Sequence, residues 1–558
     1  MQRSCVDCRQ DFIIHLDEEA FLKKLSFTFG SKTFNPPLPV ACPDCRLQRR
    51  ACHRNEQYFY KNVSAKSGKE LVSLYAPQAP WGNPYTIYLQ EEWRADDFDP
   101  LQYGRDFDFS RPFFEQFAEL QKAVPRMALI TIGNENSEYT TGAGYCKNCY
   151  MINSSEHAQD CYYGKLYQSS TNSVDCDYLY SSELCYQCFS VYDSYNCAYL
   201  AFSQNCQDCL FSSNLQSCKN CCLCTNLTHK EYHFMNQPLA KDEYERRVKE
   251  MNGSHTVFEH MKQMFDEQHR KKIHRYANIV NAEGCTGDYV ENSSQCFDCY
   301  DVNESQDCRH VTVGVNVKDV YDCSNMYLKP ELCYDTLGTI ETYGSAWCLY
   351  TFYSQRLLFC DHCFNCSDCF ACDGLTRKKF CIFNKQYTQQ EYEQLVPKII
   401  EQMIQNGEWG RYFPPQFACF AYNESLANEY FPLTREQAKA KGFHWRDRDE
   451  REYKPQSFTV QDKIADVPDA ITQELLACAR CGKNYKLVAQ EVAFYRRGKY
   501  PVPRACAECR HVERMRLRNP RHLWERTCAK CSKKVQSTYA PDRPETVFCG
   551  ECYQKEIY

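Results

Sequence analysis

The stretch CYQCFSVYDSYNCAYLAFSQNCQDC, residues 185–209, carries the pattern that decides the fold. Cys185, Cys197 and Cys209 stand twelve residues apart, and the pieces between them are rich in aromatic and aliphatic residues interrupted by Ser, Asn and Asp. Short strand-like pieces with turn residues at a fixed period are typical of a solenoid. We therefore predict a parallel β-solenoid here; the spacing leaves the number of residues per coil open.

The same spacing recurs in two regions, residues 136–236 and 281–384, which we call the first and second arrays. In the second array Cys348, Cys360 and Cys372 again stand twelve residues apart. The arrays end alike, in YHFMNQPLAKDEY and FCIFNKQYTQQEY, so the centre of the chain is an internal duplication. The predicted fold class is mainly β, with cysteine-rich parallel β-solenoid arrays and helical insertions between them.

CDHCFNCSDCFAC, residues 360–372, raises the question of what the array cysteines do. A ferredoxin-type iron–sulfur motif needs a final spacing of three and a following proline, which this run lacks. Stacked reduced cysteines pack as small hydrophobic side chains and need no metal. Zinc binding within sets such as Cys206, Cys209, Cys218 and Cys221, or a thiol relay, are the alternatives, so further metal in the arrays stays an open question.

The two ends of the chain carry paired C-x2-C motifs. CVDCRQDFII…PPLPVACPDCRLQRRACHRN near the start aligns with CARCGKNYKL…YPVPRACAECRHVERMRLRN near the end, and CAKCSKKVQSTYAPDRPETVFCGECY follows it. Four cysteines in two such pairs are typical of closed structural zinc sites, and the strand-then-helix order resembles a treble-clef zinc ribbon. We predict three structural Zn²⁺ sites, with ligands Cys5, Cys8, Cys42 and Cys45; Cys478, Cys481, Cys506 and Cys509; and Cys528, Cys531, Cys549 and Cys552.

A counterpart of the last ribbon, SAKSGKELVSLYAPQAPWGNPYTIYLQEEW, follows the first one. It matches the last ribbon in its lysine, serine, tyrosine and proline positions, but Ser64, Ser67, Leu89 and Glu92 stand where the four cysteines would be. We interpret residues 62–135 as a ribbon that kept its fold and lost its metal, joined to an aromatic and acidic linker.

Arginines recur every four residues after the second C-x2-C pair of both matching ribbons. That spacing places three guanidinium groups on one helical face, and the predicted nucleic-acid contacts are Arg46, Arg50, Arg54, Arg510, Arg514 and Arg518. The net charge of −6 is segregated, with +3 over residues 1–61, +10 over residues 476–558 and −19 between them. The ribbons can therefore bind RNA or another nucleic acid, or dock on the acidic centre of their own chain.

Other functional classes find little support. The sequence contains no hydrolase elbow, Walker loop, H-E-x-x-H or dinucleotide-binding glycine motif, so we expect no enzymatic activity. It shows no secretory signal and no apolar run long enough for a membrane span. Forty cysteines, many in C-x2-C pairs, then indicate a reducing, cytoplasmic location rather than a disulfide framework.

Three of these motifs also carry a family resemblance. The run C-x2-C…P-x-P-x-A-C-x2-CR, the STYAPDRPETVFCGECY ribbon, and SGKELVSLYAPQAP with YGRDFDFSRPFFEQF resemble a group of cysteine-rich zinc-ribbon proteins of small-genome (candidate-phylum) bacteria. The resemblance covers most of the chain. It implies treble-clef ribbons at both ends and implies no particular activity.

The predicted function is that of a zinc-stabilised scaffold that binds nucleic acid through its basic ribbon helices. The alternatives are a protein-interaction scaffold whose ribbons dock on its own acidic solenoid and, less favoured, a solenoid enzyme or thiol redox protein. The predicted segments are two ribbons at 1–61 and 62–135, the first array at 136–236, a helical insertion at 237–280, the second array at 281–384, a helix and aromatic linker at 385–475, and two ribbons at 476–522 and 523–558.

Overall fold

The computed structural model describes residues 1–78, 85–251, 253–306, 308–310, 312–315, 334–340, 343–447 and 453–557. Over these residues the chain consists mainly of short strands with some helices, and its largest sheet is a mixed sheet of eleven strands. Residues 316–333 of the predicted second array lie outside the described residues. Within the described part of the chain, no helix is both long enough and apolar enough to cross a membrane.

The N-terminal segment consists of small hairpins and helices. Its elements are β1 (Gln2–Ser4), β2 (Asp11–Ile13), α1 (Leu16–Lys24), β3 (Phe27–Phe29), β4 (Lys32–Phe34), α2 (Pro43–Ala51), β5 (Tyr60–Val63), β6 (Glu70–Ser73), β7 (Ile87–Tyr88), α3 (Gln90–Trp93), α4 (Phe113–Ala123) and β8 (Arg126–Met127). Strands β1 and β2, β3 and β4, and β5 and β6 pair antiparallel, whereas β7 and β8 are parallel.

The first array is a ladder of parallel strands. Its strands are β9 (Thr131–Ile132), β10 (Thr140–Thr141), β11 (Ala143–Gly144), β12 (Tyr150–Asn153), β13 (Tyr162–Gln168), β14 (Val174–Tyr180), β15 (Phe189–Tyr192), β16 (Ala198–Gln204), β17 (Leu210–Gln216), β18 (Lys219–Cys222), β19 (Thr225–Thr228), β20 (Glu231–Phe234) and β21 (Gln237–Pro238). Every parallel pair has a register of twelve residues, as in Tyr162 opposite Val174. This register is the cysteine spacing seen in the sequence.

Helices and a second ladder follow. The elements are α5 (Lys241–Met251), α6 (His255–Lys271), β22 (Ile273–Arg275), β23 (Ile279–Val280), β24 (Gly287–Glu291), β25 (Cys299–Asn303), β26 (Thr312–Val315), β27 (Thr339–Ile340), β28 (Thr351–Phe352), β29 (Gln355–Leu358), β30 (Cys363–Phe364), β31 (Ser367–Phe370), β32 (Lys379–Ile382) and β33 (Lys385–Gln386). The register is eleven between β23 and β24 and twelve in the later parallel pairs of this ladder.

The C-terminal part returns to hairpins and helices. It contains α7 (Gln389–Gln405), α8 (Leu426–Tyr430), α9 (Arg435–Ala440), β34 (Leu476–Ala477), β35 (Asn484–Tyr485), α10 (Ala489–Gly498), α11 (Ala507–Met515), β36 (Trp524–Thr527), β37 (Lys534–Ser537), β38 (Thr546–Phe548) and α12 (Gly550–Ile557). A capping box of Thr388 and Glu391 begins α7. Residues 448–452 of the predicted linker lie outside the described residues.

The first array turns at every third residue. From Tyr145 to Met235, every third residue has a positive φ, between 45° and 59°. Asn and Asp tolerate this left-handed conformation better than most residues, and one column of such positions is Asn148, Asp160, Asn172, Asn196, Asp208 and Asn220. Side chains in this column bond to one another, since the Asn196 amide donates to the Asp208 carboxylate over 2.6 Å.

Among the residues that the structure describes, the array cysteines are buried apart from the half-buried Cys285, and most of their sulfur atoms lie near backbone carbonyl oxygens. Sγ of Cys188 lies 3.5 Å from the carbonyl oxygens of both Tyr186 and Cys197. Cys363 and Cys366 in the second array have the same environment, with carbonyl oxygens 3.3–3.6 Å from each sulfur. A buried thiol that packs as a small apolar group and donates to a carbonyl is satisfied without a metal.

The ends of the chain pack on the arrays in a crossed manner. The N-terminal segment shares an apolar core with the second array, in which Leu22 and Phe27 pack with Trp347 and Phe359. The C-terminal segment shares another core with the first array, in which Tyr495 and Tyr500 surround Tyr186. The apolar core that each terminal segment shares with an array therefore involves the array that is farther from it in sequence.

Candidate metal centres and the arginine helices

The first group of four cysteines is assembled by a hairpin and a helix. Cys5 and Cys8 lie in the turn between β1 and β2, and Cys42 and Cys45 lie at the beginning of α2. The four sulfur atoms lie within 4.8 Å of one another, and the Cys42 amide donates to the Cys5 sulfur over 3.2 Å. Pro43 in the first turn of α2 fixes the backbone there without removing a helical hydrogen bond.

Two further groups in the C-terminal segment have the same construction. Their members are Cys478, Cys481, Cys506 and Cys509, and Cys528, Cys531, Cys549 and Cys552, and the sulfur atoms of each group again lie within 4.8 Å of one another. The amide of Cys506 donates to the Cys478 sulfur, and that of Cys549 to the Cys528 sulfur, both over 3.2 Å. The structure thus brings together the three sets of cysteines that the spacing predicted.

The sulfur–sulfur distances fit a tetrahedral ion. Zinc–sulfur bonds of about 2.3 Å place the ligands of a tetrahedral ion roughly 3.8 Å apart. One pair in each group lies at this distance: Cys8 and Cys42 at 3.7 Å, Cys481 and Cys506 at 3.8 Å, and Cys531 and Cys549 at 3.7 Å. All three groups can therefore hold a metal ion without rearrangement.

Local hydrogen bonds favour the thiolate form that a metal needs. A hydrogen bond from the Cys45 thiol is the main cause that lowers the pKa of Cys42 to about 5. Burial raises the pKa of Cys478 and of Cys528, but backbone hydrogen bonds outweigh it and lower both to about 6. Metal binding requires deprotonated sulfur, and hydrogen bonds favour that form in one cysteine of each group, whereas burial raises the pKa of Cys8, Cys506 and Cys552.

The array cysteines are not gathered in this way. Among the residues that the structure describes, no three array cysteines bring their sulfur atoms within 4.8 Å of one another. This arrangement agrees with the packing role that their backbone hydrogen bonds indicate.

The arginines of α11 and of the turn after it are buried against acidic residues. Arg510 contacts Asp175 at 2.9 Å, and Arg514 contacts Asp177 at 2.7 Å and Asp175 at 3.3 Å. Arg518 reaches Glu429 of α8 at 3.2 Å. Burial alone would lower the pKa of the Arg514 guanidinium, but the two aspartates raise it above its ordinary value.

Arginines at the N-terminal end make equivalent contacts. Arg50 is fully buried and forms an ion pair with Asp335 in the second array. Arg54 lies 2.6 Å from Glu56 and donates to the Ser154 hydroxyl over 2.9 Å. Arg46 donates to the carbonyl oxygen of Ala41 over 2.7 Å, and Arg510 donates to that of Ala505 over the same distance. The six arginines predicted from the sequence thus occupy matching places inside the molecule, five of them buried and Arg518 partly exposed.

One buried charge cluster was not expected from the sequence. Arg126 lies 3.0 Å from Asp361, 3.4 Å from Asp373 and 3.2 Å from the Nδ1 atom of His362, and all four side chains are buried. Asp361, His362 and Asp373 have the geometry of a metal-ligand triad. The guanidinium of Arg126 lies within ion-pair distance of both carboxylates, and burial raises the pKa of Asp373 well above its ordinary value. We therefore interpret the cluster as a hydrogen-bonded ion-pair network that anchors residues 125–127 to the second array.

The comparisons with known proteins leave the family unassigned. No family model matches the chain, and no curated protein matches it. Three chains of solved structures do match. One is a proposed acetyltransferase from Desulfovibrio desulfuricans G20, to which this chain is similar over 42% of its own length and 64% of the other, with 8% identity and a TM-score of 0.11. The match thus spans less than two thirds of that chain, and a likeness this weak carries no argument about fold or function.

Proposed function

We propose that the protein is a zinc-stabilised scaffold in which treble-clef ribbons at both ends dock on two acidic β-solenoid arrays of the same chain. The ribbons bind one Zn²⁺ each through their four cysteines, three ions per chain. In this proposal the metal holds each ribbon closed, and in two of the ribbons the arginine-bearing helices α2 and α11 attach the ribbon to an array.

The register of the strands supports the solenoid. A parallel pairing of twelve residues with a left-handed residue at every third position gives four turns per repeat. Four three-residue sides then close one coil of twelve residues, and the inward positions stack from coil to coil. The buried cysteine columns are those inward positions.

The docking proposal rests on an arginine–aspartate contact that occurs once in each half of the molecule. Arg514 of α11 meets Asp175 in the first array, and Arg50 of α2 meets Asp335 in the second. Both aspartates have a positive φ, 56° for Asp175 and 51° for Asp335, so each sits at a turn of its array. Equivalent arginines on equivalent ribbons thus contact equivalent positions of the two arrays.

These contacts favour internal docking over nucleic-acid binding. A guanidinium that contacts a phosphate must be accessible, whereas the side chains of Arg50, Arg510 and Arg514 are 0%, 5% and 3% exposed. The segregated charge of the sequence, with basic ends and an acidic centre, is then neutralised within the chain.

Replacing the two aspartates of the first array tests the proposal. In Asp175→Asn/Asp177→Asn the buried arginines lose their counter-charges, so we expect limited proteolysis to cut near residues 476–557 that are protected in the parent protein. Native mass spectrometry should still count three zinc ions, because no ligand has been changed. Asp193→Asn, an exposed aspartate with the same backbone conformation in the same array, is the matched control and should stay protected.

Unchanged protection in the double variant would contradict internal docking. The alternative is that the protein binds nucleic acid. A titration of the parent protein with labelled single-stranded RNA, followed by fluorescence anisotropy over a salt series, tests it. RNA binding at low salt that Arg510→Ala and Arg518→Ala both weaken would favour the nucleic-acid function instead.

A further inference from the structure

We propose that the ribbon of residues 524–557 is the metal-exchange site of the protein, at which a soft divalent ion such as Zn²⁺ or Cd²⁺ enters and leaves while the other two ribbons retain theirs. This inference rests on the proposed zinc sites and adds a difference between them. The three ligand sets are chemically identical, so a difference in exchange must come from their surroundings.

The ligands of the three groups differ in their exposure. In the first group Cys5, Cys42 and Cys45 are buried and Cys8 is half-buried. The middle group has two buried and two half-buried ligands. In the last group Cys531 is exposed and Cys552 is half-buried, so one side of this site faces solvent.

The helices that carry the second cysteine pair differ in the same order. Six residues of α2 are buried, and α11 buries Arg510, His511 and Arg514 against the first array. In α12 Tyr553 is the one buried residue. The last helix therefore covers its metal site far less than the other two, and it opens at a lower free-energy cost.

Exposure controls exchange because metal leaves a thiolate site by ligand substitution. An incoming chelator group or thiolate must reach the ion before a cysteine sulfur departs. The departing sulfur then takes up a proton or is hydrated by water. The exposed Cys531 offers such an approach, whereas the ligands of the other two sites are buried or half-buried beside the more deeply docked helices α2 and α11. No electron is transferred, so the step needs no oxidant.

Contacts outside the metal keep this ribbon in place during exchange. Strand β38 pairs with β22, and the Thr538 hydroxyl donates to Asp288 over 2.7 Å. The Asn214 amide donates to the Tyr553 hydroxyl over 2.6 Å. A ribbon held by three neighbours can lose its ion and rebind one without leaving the molecule.

Native mass spectrometry of the full-length protein during chelation with EDTA, followed by addition of Cd²⁺, tests the inference. We expect three zinc ions at the start, one of which leaves at least about ten times faster than the others. One Cd²⁺ should then bind. Peptide mapping after a short pulse of iodoacetamide should find label on Cys531 and Cys552 before any ligand of the other groups.

Cys531→Ser/Cys552→Ser should contain two zinc ions, both of them slow, because the fast ion has lost its site. Three ions that leave at one common rate, or label that appears first on Cys8 or Cys481, would overturn the exchange site and leave the zinc sites intact. A protein that never contains three ions would instead contradict the proposed function.

Discussion

The last ribbon, residues 524–553, and the described parts of its N-terminal counterpart, residues 60–78 and 85–93, share backbone hydrogen bonds but not the four cysteines. In the last ribbon the Cys528 amide donates to the Lys533 carbonyl over 2.8 Å, and in the counterpart Ser64 donates to Lys69 over 2.9 Å. A second bond also recurs, from Ala529 to Val547 and from Ala65 to Ile87, each over 2.9 Å. The hairpin and its link to the third strand are therefore the same in both regions.

A hydrogen bond stands in the place of the ion. The Ser64 hydroxyl donates to the Glu92 carboxylate, and the Leu89 amide donates to the same carboxylate over 3.2 Å. These residues hold the positions of Cys528, Cys552 and Cys549 in the last ribbon. The hydrogen-bonded Ser64 and Glu92 thus join the hairpin to the helix. In the last ribbon the four cysteines, with a bound metal ion, would make this connection.

Packing on the second array holds the counterpart in place. Trp93 of the counterpart is buried, donates to the Pro125 carbonyl over 2.9 Å and packs on Phe364 of the second array. Tyr553 holds the same position in the last ribbon, on a helix that is otherwise largely exposed. We expect a ribbon that packs on an array through a buried tryptophan to keep its shape without an ion. A ribbon whose helix is largely exposed should depend on a bound ion.

Removing the buried ligands of the last ribbon should have the largest effect. Cys528→Ser/Cys549→Ser abolishes a metal site whose contribution to folding is on the order of 10 kcal/mol in small zinc domains. We expect two zinc ions per chain by native mass spectrometry and loss of hydrogen-exchange protection around the two ligand pairs, whereas β38 should stay paired with β22. Protection elsewhere should persist, since the arrays have their own cores.

Retained hydrogen-exchange protection around the ligand pairs of this variant would contradict the idea that the last ribbon depends on a metal and its counterpart does not. It would show that the last ribbon, like its counterpart, is held by docking alone. The parent protein saturated with zinc is the reference for both measurements.

Breaking the arginine contacts should come next in size. Arg514→Met leaves Asp175 and Asp177 buried without their main counter-charge, which costs about 3–5 kcal/mol for a buried pair. Arg50→Met should cost a similar amount through Asp335 in the other half of the molecule. Urea unfolding followed by circular dichroism measures both changes.

Arg516→Met is the control for these variants, because Arg516 is exposed and lies two residues from Arg514. It should change the free energy of unfolding by less than about 0.5 kcal/mol. A loss for Arg514→Met as small as that of the control would mean that the ion pairs do not hold the ribbon.

Local spacing made the cysteine groups and the repeat predictable. Ligands three residues apart on a hairpin turn or at the start of a helix must lie close together, and a period of twelve predicts stacking before the register is known. The loss of metal from the counterpart was equally visible, because its four ligand positions could be compared with those of the last ribbon one by one.

The partners of the arginines could not be found in this way. Arg514 meets Asp175 and Asp177 across more than three hundred residues, and Arg50 meets Asp335 across nearly as many. Helical spacing predicted that the arginines share a face, but it could not decide whether that face meets solvent, a phosphate or a carboxylate. The nucleic-acid hypothesis arose from that gap, since many acidic residues of the centre were equally plausible partners in one sequence.

A buried glutamate in the first C-terminal ribbon makes stability depend on pH. Burial raises the pKa of Glu491 to about 7, although Arg510 and a hydrogen bond from Tyr163 oppose the rise. An unfolded glutamate has a pKa of about 4.3. At a pH between these two pKa values, Glu491 is protonated more often in the folded than in the unfolded state. The free energy of unfolding therefore falls as pH rises from about 5 to 7.

Glu491→Gln removes this dependence and should stabilise the protein by about 1–3 kcal/mol at pH 8 relative to the parent. Urea midpoints at pH 5, 6, 7 and 8 measure the effect. Glu18→Gln supplies the comparison, because Glu18 is buried at the same position of helix α1 in the N-terminal ribbon. If the urea midpoint of Glu491→Gln changed with pH as much as that of the parent protein, Glu491 would not be the source of the pH dependence.

The smallest change tests the bond that replaces the metal. Ser64→Ala removes the donor to Glu92, and one hydrogen bond to a partly exposed carboxylate contributes about 1 kcal/mol. Val63→Ala is the control, because Val63 lies next to Ser64 and is exposed. If the docking of Trp93 holds the counterpart, Ser64→Ala should lower the urea midpoint slightly and leave hydrogen-exchange protection of residues 60–93 intact. Loss of that protection would show that the Ser64–Glu92 bond has taken over the metal's structural role, rather than filling a site that docking had already made dispensable.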